Sequence, residues 1–163
     1  MSLKGDRWEF MTDISYFMNE VATRGGIVSL STVGSGAALD QAASLVTYAA
    51  SSTGSKPAGM LMGDMVNYDL TRQHINFQRD EVPMGGKVRL LKKGWAVTNN
   101  IVGTPAVGDD AVLTSSGSVL PINVVNASAS NYTSSPNYAL RPKVGYFGSA
   151  KDEDGYAKLY VDL

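Results

Sequence analysis

Two hydrophobic periods divide the chain. In DRWEFMTDISYFMNEVATR, residues 6–24, the apolar positions Ile14, Phe17, Met18 and Val21 fall at i, i+3, i+4 and i+7, with Asn19, Glu20 and Thr23 opposite. That spacing predicts a short amphipathic helix, capped by Thr12 or Asp13, that runs to about Arg24 and stops at the pair Gly25-Gly26. After Gly26 the pattern changes to short runs of period two: IVSLSTV (27–33), SLVTYA (44–49), GMLMGDMVNYDL (59–70), KVRLLKKGWAVTN (87–99) and DAVLTSSGSVLPI (110–122). The chain closes on a predicted hairpin, Val144 to Phe147 and Tyr156 to Val161, reversed through Asp154-Gly155. Gly, Ser, Asn and Pro punctuate these runs, and no strand-helix alternation accompanies them. The fold class expected is therefore all-β, a compact barrel or sandwich over residues 26–163 carrying an N-terminal arm over residues 1–25.

The arm is over-supplied with large apolar side chains. Trp8, Phe10, Ile14, Phe17, Met18 and Val21 exceed what so short an extension needs for solubility, and burying each such side chain is worth about 1.5–3 kcal/mol. The helix packs beside its own domain or on a different chain. The second alternative makes these six residues the candidate partner-binding set, and removal of residues 1–24 is then expected to leave the β domain folded.

Composition narrows the chemistry. At 163 residues and 44% hydrophobic content the chain can bury one sizeable core. Fourteen basic against fifteen acidic residues give a formal charge of -1, which supplies no long-range attraction for nucleic acid or an anionic membrane. With no cysteine and one histidine, disulfides and the usual zinc constellations cannot be built within a single chain, and no cofactor is expected. The N-terminus lacks a secretory h-region, and no apolar run approaches the ~18 residues of a membrane helix, so synthesis in cytosol and use there, or in something assembled there, are expected.

Candidate catalytic groups do not converge. His74, in LTRQHINFQRD, has no serine elbow near it in sequence and reads as a surface or interface residue. Gly34-Ser35-Gly36-Ala37 begins a dinucleotide fingerprint without its third glycine or acidic ribose partner, and reads as a loop. Asp109-Asp110 either punctuates a turn or joins Asp152, Glu153 and Asp154 as oxygen donors to a hard cation; the turn is the simpler reading. Asn126 and Asn131 open glycosylation sequons that carry no weight without a secretory signal. The stretches 32–44 and 123–142 are poor in large apolar residues, and the second is long for a loop within a compact domain. An enzyme is not expected.

Three segments carry a resemblance: PMGGKVRLLKKGWAVTN (83–99), GTPAVGDDAVLTSSG (103–117) and VGYFGSAKDEDGYAKLYVDL (144–163). In their order of β-run, Gly-Asp turn, β-run and terminal hairpin they resemble the small all-β capsid decoration, or cement, proteins of bacteriophages. The resemblance implies a structural virion protein on the outer capsid surface that binds the major capsid protein, assembles as a homotrimer and uses Leu3 to Arg24 as its arm. Trp95 and Tyr146 would then be buried between protomers. Another phage structural piece, of tail or head fibre, and a ligand-binding or enzymatic barrel are the alternatives.

Overall fold

The computed structural model describes residues 3–32, 44–51, 53–65, 80–122 and 141–163. Among these the chain forms β1 (Leu3–Met18), β2 (Ala22–Thr23), β3 (Ile27–Leu30), β4 (Leu45–Thr47), β5 (Pro57–Asp64), β6 (Glu81–Val82), β7 (Lys87–Thr98), β8 (Asp110–Leu113), β9 (Val119–Ile122), β10 (Lys143–Phe147) and β11 (Ala157–Asp162). A 3-10 turn, Ser115–Gly117, joins β8 to β9. The all-β expectation holds.

The expected N-terminal helix does not form: Leu3–Met18 is one strand of 16 residues. Its sequence also carries a period of two, with Trp8, Phe10, Ile14 and Tyr16 alternating with Glu9, Asp13 and Ser15. Aromatic and β-branched side chains favour that period when a partner edge is at hand. The partner is β7, paired antiparallel from Leu3↔Thr98 to Phe17↔Lys87 with several bulges between. The four positions of the helical stripe are separated accordingly: Met18 is fully buried, Phe17 half-buried, and Ile14 and Val21 exposed. Residues 3–18 therefore share one sheet with the strands after Gly26.

Nine strands form a mixed sheet in the order β1-β4-β3-β5-β7-β11-β10-β8-β9, and the additional β1–β7 pairing closes β1, β4, β3, β5 and β7 into a ring. β7 makes this possible through its length. One edge takes β1 along its whole span, while the other takes β5 over Val88 to Leu91 and β11 over Lys93 to Thr98. Beyond β11 the limb β10-β8-β9 curls back, and Val119 bridges Ile101 just after β7. β2 and β6 form a separate two-stranded patch.

Two apolar clusters result. One gathers Met18, Val28, Val46, Ala58, Leu61, Val82, Val88 and Leu90. The other is built largely on the second limb, around Phe147, Leu159 and Leu113, and also takes Leu3, Ile27, Met60, Met62 and Leu91. Successive side chains of a strand point to opposite faces, so the adjacent pairs Ile27-Val28, Met60-Leu61 and Leu90-Leu91 each divide between the two clusters. This explains the unbroken apolar run of β5, which is covered on both sides.

Candidate interaction surface

Directly paired residues of neighbouring strands project from the same face of a sheet. Trp8 pairs with Trp95, Trp95 with Tyr160, and Tyr160 with Tyr146, which sets an aromatic row across β1, β7, β11 and β10. The inward partners of this row's neighbours, Ala96, Leu159 and Val161, are buried, so the row faces outward. Tyr146 and Tyr160 stack at 4.7 Å with ring planes 9° apart. Lys158 Nζ lies 3.5 Å from the Trp95 ring centroid, and Trp8 leans on Phe10 at 5.6 Å and 44°. Stacking covers one face of each tyrosine ring and the ammonium one face of Trp95, so the row is a partly exposed aromatic surface with a cation set into it.

β1 supplies the exposed end of the row. Trp8 is 54% and Phe10 66% exposed, and Met11 and Ile14 are also exposed. Apart from Leu3 and Met18, no residue of β1 is fully buried. On the alternate side of the strand the charged residues are paired: Arg7 Nε donates to Glu9 Oε1 at 2.6 Å, Arg89 lies 3.7 Å from the same oxygen, and Lys92 lies 3.7 Å from Asp13. Burial acts to raise the Asp13 carboxyl, but hydrogen bonds from the Ser15 hydroxyl and amide together with Lys92 outweigh it and hold the group below the usual carboxylate range.

Asp109, Asp110 and Asp152 are engaged in structural contacts. Asp109 Oδ2 accepts the Ala106 amide at 2.8 Å and so shapes the turn, whereas Asp110 opens β8 and pairs with Lys143 of β10 at 2.7 Å. In the terminal hairpin, Asp152 Oδ1 accepts the amides of Asp154 and Tyr156 while its Oδ2 takes Lys4 Nζ at 2.8 Å. Lys4 also lies 4.2 Å from the Tyr156 ring centroid, which fastens the start of β1 to this turn. Its hydrogen bond to Asp152 raises the Lys4 pKa, and the same bond followed by the Tyr156 amide lowers that of Asp152. Among the described residues no three His, Asp or Glu side chains converge as metal ligands. A small cleft of about 350 Å³ between Val21, Ala22, Thr23, Tyr48, Asn100 and Ser116 holds the Tyr48 hydroxyl, which donates to the Thr23 carbonyl and is raised above its ordinary pKa by burial. His74, Gly34 to Ala37, Asn126 and Asn131 lie outside the described residues.

Of the six residues expected to bind a partner, the structure sets Trp8, Phe10, Ile14 and Val21 at the surface and leaves Phe17 half-buried. Met18 is corrected to a core residue: fully enclosed in the cluster with Val28 and Leu61, it cannot meet a partner. Met11 and Tyr160 belong to the surface and are additions. The alternation of the terminal hairpin could have marked Tyr160, whereas nothing local to the sequence couples Trp8 to Trp95. No protein-family model matches the chain, and no curated protein matches it in sequence.

Proposed function

We propose that this is a structural virion protein, a decoration or cement protein that binds the outer surface of an icosahedral bacteriophage head and acts on the major capsid protein. The observation that supports the reading is the run of exposed large apolar side chains on β1, Trp8, Phe10, Met11 and Ile14, on a strand hydrogen-bonded into a closed ring. Exposed aromatic side chains held by a rigid sheet lose little freedom on docking and exclude water efficiently, so they suit a static mechanical contact. The function is then additive: each copy buries apolar area across a joint between shell subunits, and internal pressure must break more contacts to open it. A homotrimer seated at threefold positions repeats that contact around the axis.

Co-sedimentation with shells assembled from major capsid protein alone tests the reading. The wild-type chain is expected to pellet with shells at a fixed stoichiometry. Trp8→Ala and Phe10→Ala are expected to weaken that binding by roughly tenfold or more while the circular dichroism spectrum is unchanged. Failure of the wild-type chain to bind, or retention of full affinity by both variants, overturns the reading.

A further inference from the structure

β1 is an edge strand of unusual character. One edge is hydrogen-bonded to β7, whereas among the described residues no strand pairs with the other edge from Leu3 to Tyr16; β4 joins it only at Phe17 and Met18. Edge strands are ordinarily blunted by bulges and charges, and β1 has both along most of its length. Arg7-Trp8-Glu9 keeps the charges but is free of the bulges. Here the pairing to β7 runs without a shift, Arg7↔Ala96, Trp8↔Trp95 and Glu9↔Gly94, and here a large apolar residue is exposed at the centre. The Trp8 carbonyl lies against Gly94 and so points toward β7. In an extended strand the N–H and C=O groups of the two flanking residues, Arg7 and Glu9, then point to the outer edge.

We infer that this edge pairs with the same edge of a second copy of the chain, antiparallel about a twofold axis at Trp8. An axis normal to the sheet keeps each face continuous and brings Trp8 beside the partner's Trp8. It sets Arg7 opposite the partner's Glu9 and Glu9 opposite the partner's Arg7, so the Arg7–Glu9 pair already made within each chain is extended into a four-charge array of alternating sign across the seam. The outward backbone groups of Arg7 and Glu9 find partners in the same step, and the aromatic row continues without interruption from one copy to the other. Other registers lack this match. An axis at Asp6 sets that carboxylate against its own copy, and an axis at Phe10 places Glu9 opposite Met11 across a bulge. The inference rests on the fold and its charges, not on the capsid reading; where both hold, the edge of β1 joins copies of two different trimers, since a threefold trimer contains no twofold axis.

The charge pattern supplies its own test. Arg7→Glu leaves only acidic side chains at positions 7 and 9, and Glu9→Arg only basic ones, so each variant repels its own copy yet complements the other. In sedimentation velocity the wild-type chain is expected to form a concentration-dependent assembly through this contact, and each single variant is expected to weaken it by roughly tenfold or more. An equimolar mixture of the two variants is expected to recover a mixed assembly, and the double variant Arg7→Glu/Glu9→Arg to assemble like wild type. Circular dichroism of each variant reports that the sheet is intact. A wild-type chain that stays a single copy, an assembly whose mass neither reversal changes, or a mixture that does not recover it overturns the inference.

Discussion

At Gly94 an added Cβ would sit 2.2 Å from the Trp8 carbonyl oxygen, and the backbone there has φ of +144°. Only glycine lets β1 approach β7 at this point, which is why the exposed Trp8 lies level with Trp95. Gly94→Ala is expected to cost about 1–3 kcal/mol in chemical denaturation, a large loss for a single methyl group. The pair Lys4 and Asp152 gives a second residue-level expectation. The folded-state pKa of Asp152 is depressed, so its contribution is fully present above the ordinary carboxylate value and is lost as pH falls through the folded value. Lys4 has the opposite sign: its pKa is raised, and its contribution is lost only as pH climbs through that raised value. Thermal melts of Asp152→Asn and wild type are therefore expected to differ at neutral pH and to converge only as the pH falls below the ordinary carboxylate value and through the depressed folded one. A difference that persists unchanged into acid would show that the hydrogen bonds of Asp152, and not its charge, fasten the turn.

β1 is the element on which reading the sequence and seeing the structure part company. β1 and the three residues after it satisfy two periods at once, 3.6 through Ile14, Phe17, Met18 and Val21 and two through Trp8, Phe10, Ile14 and Tyr16, and local pattern cannot choose between them. The choice is made by β7, about 80 residues later in the chain, whose full-length edge rewards the extended form with a ladder of hydrogen bonds. The terminal hairpin was legible because its signals are all local: alternation in β11, with Ala157, Leu159 and Val161 inward, and a turn shaped by Asp152. For the same reason Trp8 and Phe10 could be read as exposed apolar residues, yet their row with Trp95 and Tyr160 could not, since register between distant strands leaves no mark in composition. The corrected assignment reverses one expectation. Removing residues 1–24 strips β7 of an entire edge, opens the ring and takes Leu3 and Met18 out of both apolar clusters. The truncated chain is expected to lose cooperative unfolding and to bind a hydrophobic dye; a truncated protein with an intact, sharp thermal transition would show that the ring closes without β1.

For the molecule as a whole, the question is whether two apolar clusters make one cooperative unit or two. Three strands argue for one. β3, β5 and β7 each send adjacent residues into both clusters, through Ile27-Val28, Met60-Leu61 and Leu90-Leu91, so neither cluster can disperse while the other keeps these strands flat and covered. The two tryptophans, Trp8 and Trp95, lie level with β11 beside Leu159, away from the Met18 and Leu90 ends of the same two strands, and report from there. Met18 lies in the opposite cluster, so Met18→Ala disturbs a region the tryptophans do not touch directly. Truncating a buried methionine costs about 2–5 kcal/mol, and each kcal/mol lowers the melting temperature of a domain of this size by about 2–4 °C. If the clusters are one unit, Met18→Ala moves the tryptophan fluorescence midpoint by the same amount as the far-ultraviolet circular dichroism midpoint, and Leu159→Ala does likewise from the other side. Two independent units would separate the probes: the Met18→Ala fluorescence transition would stay at the wild-type temperature while part of the circular dichroism signal melted early. The shared strands lead to the first outcome, because β5, covered on both faces, has no solvent-exposed state to fall back to when either side opens.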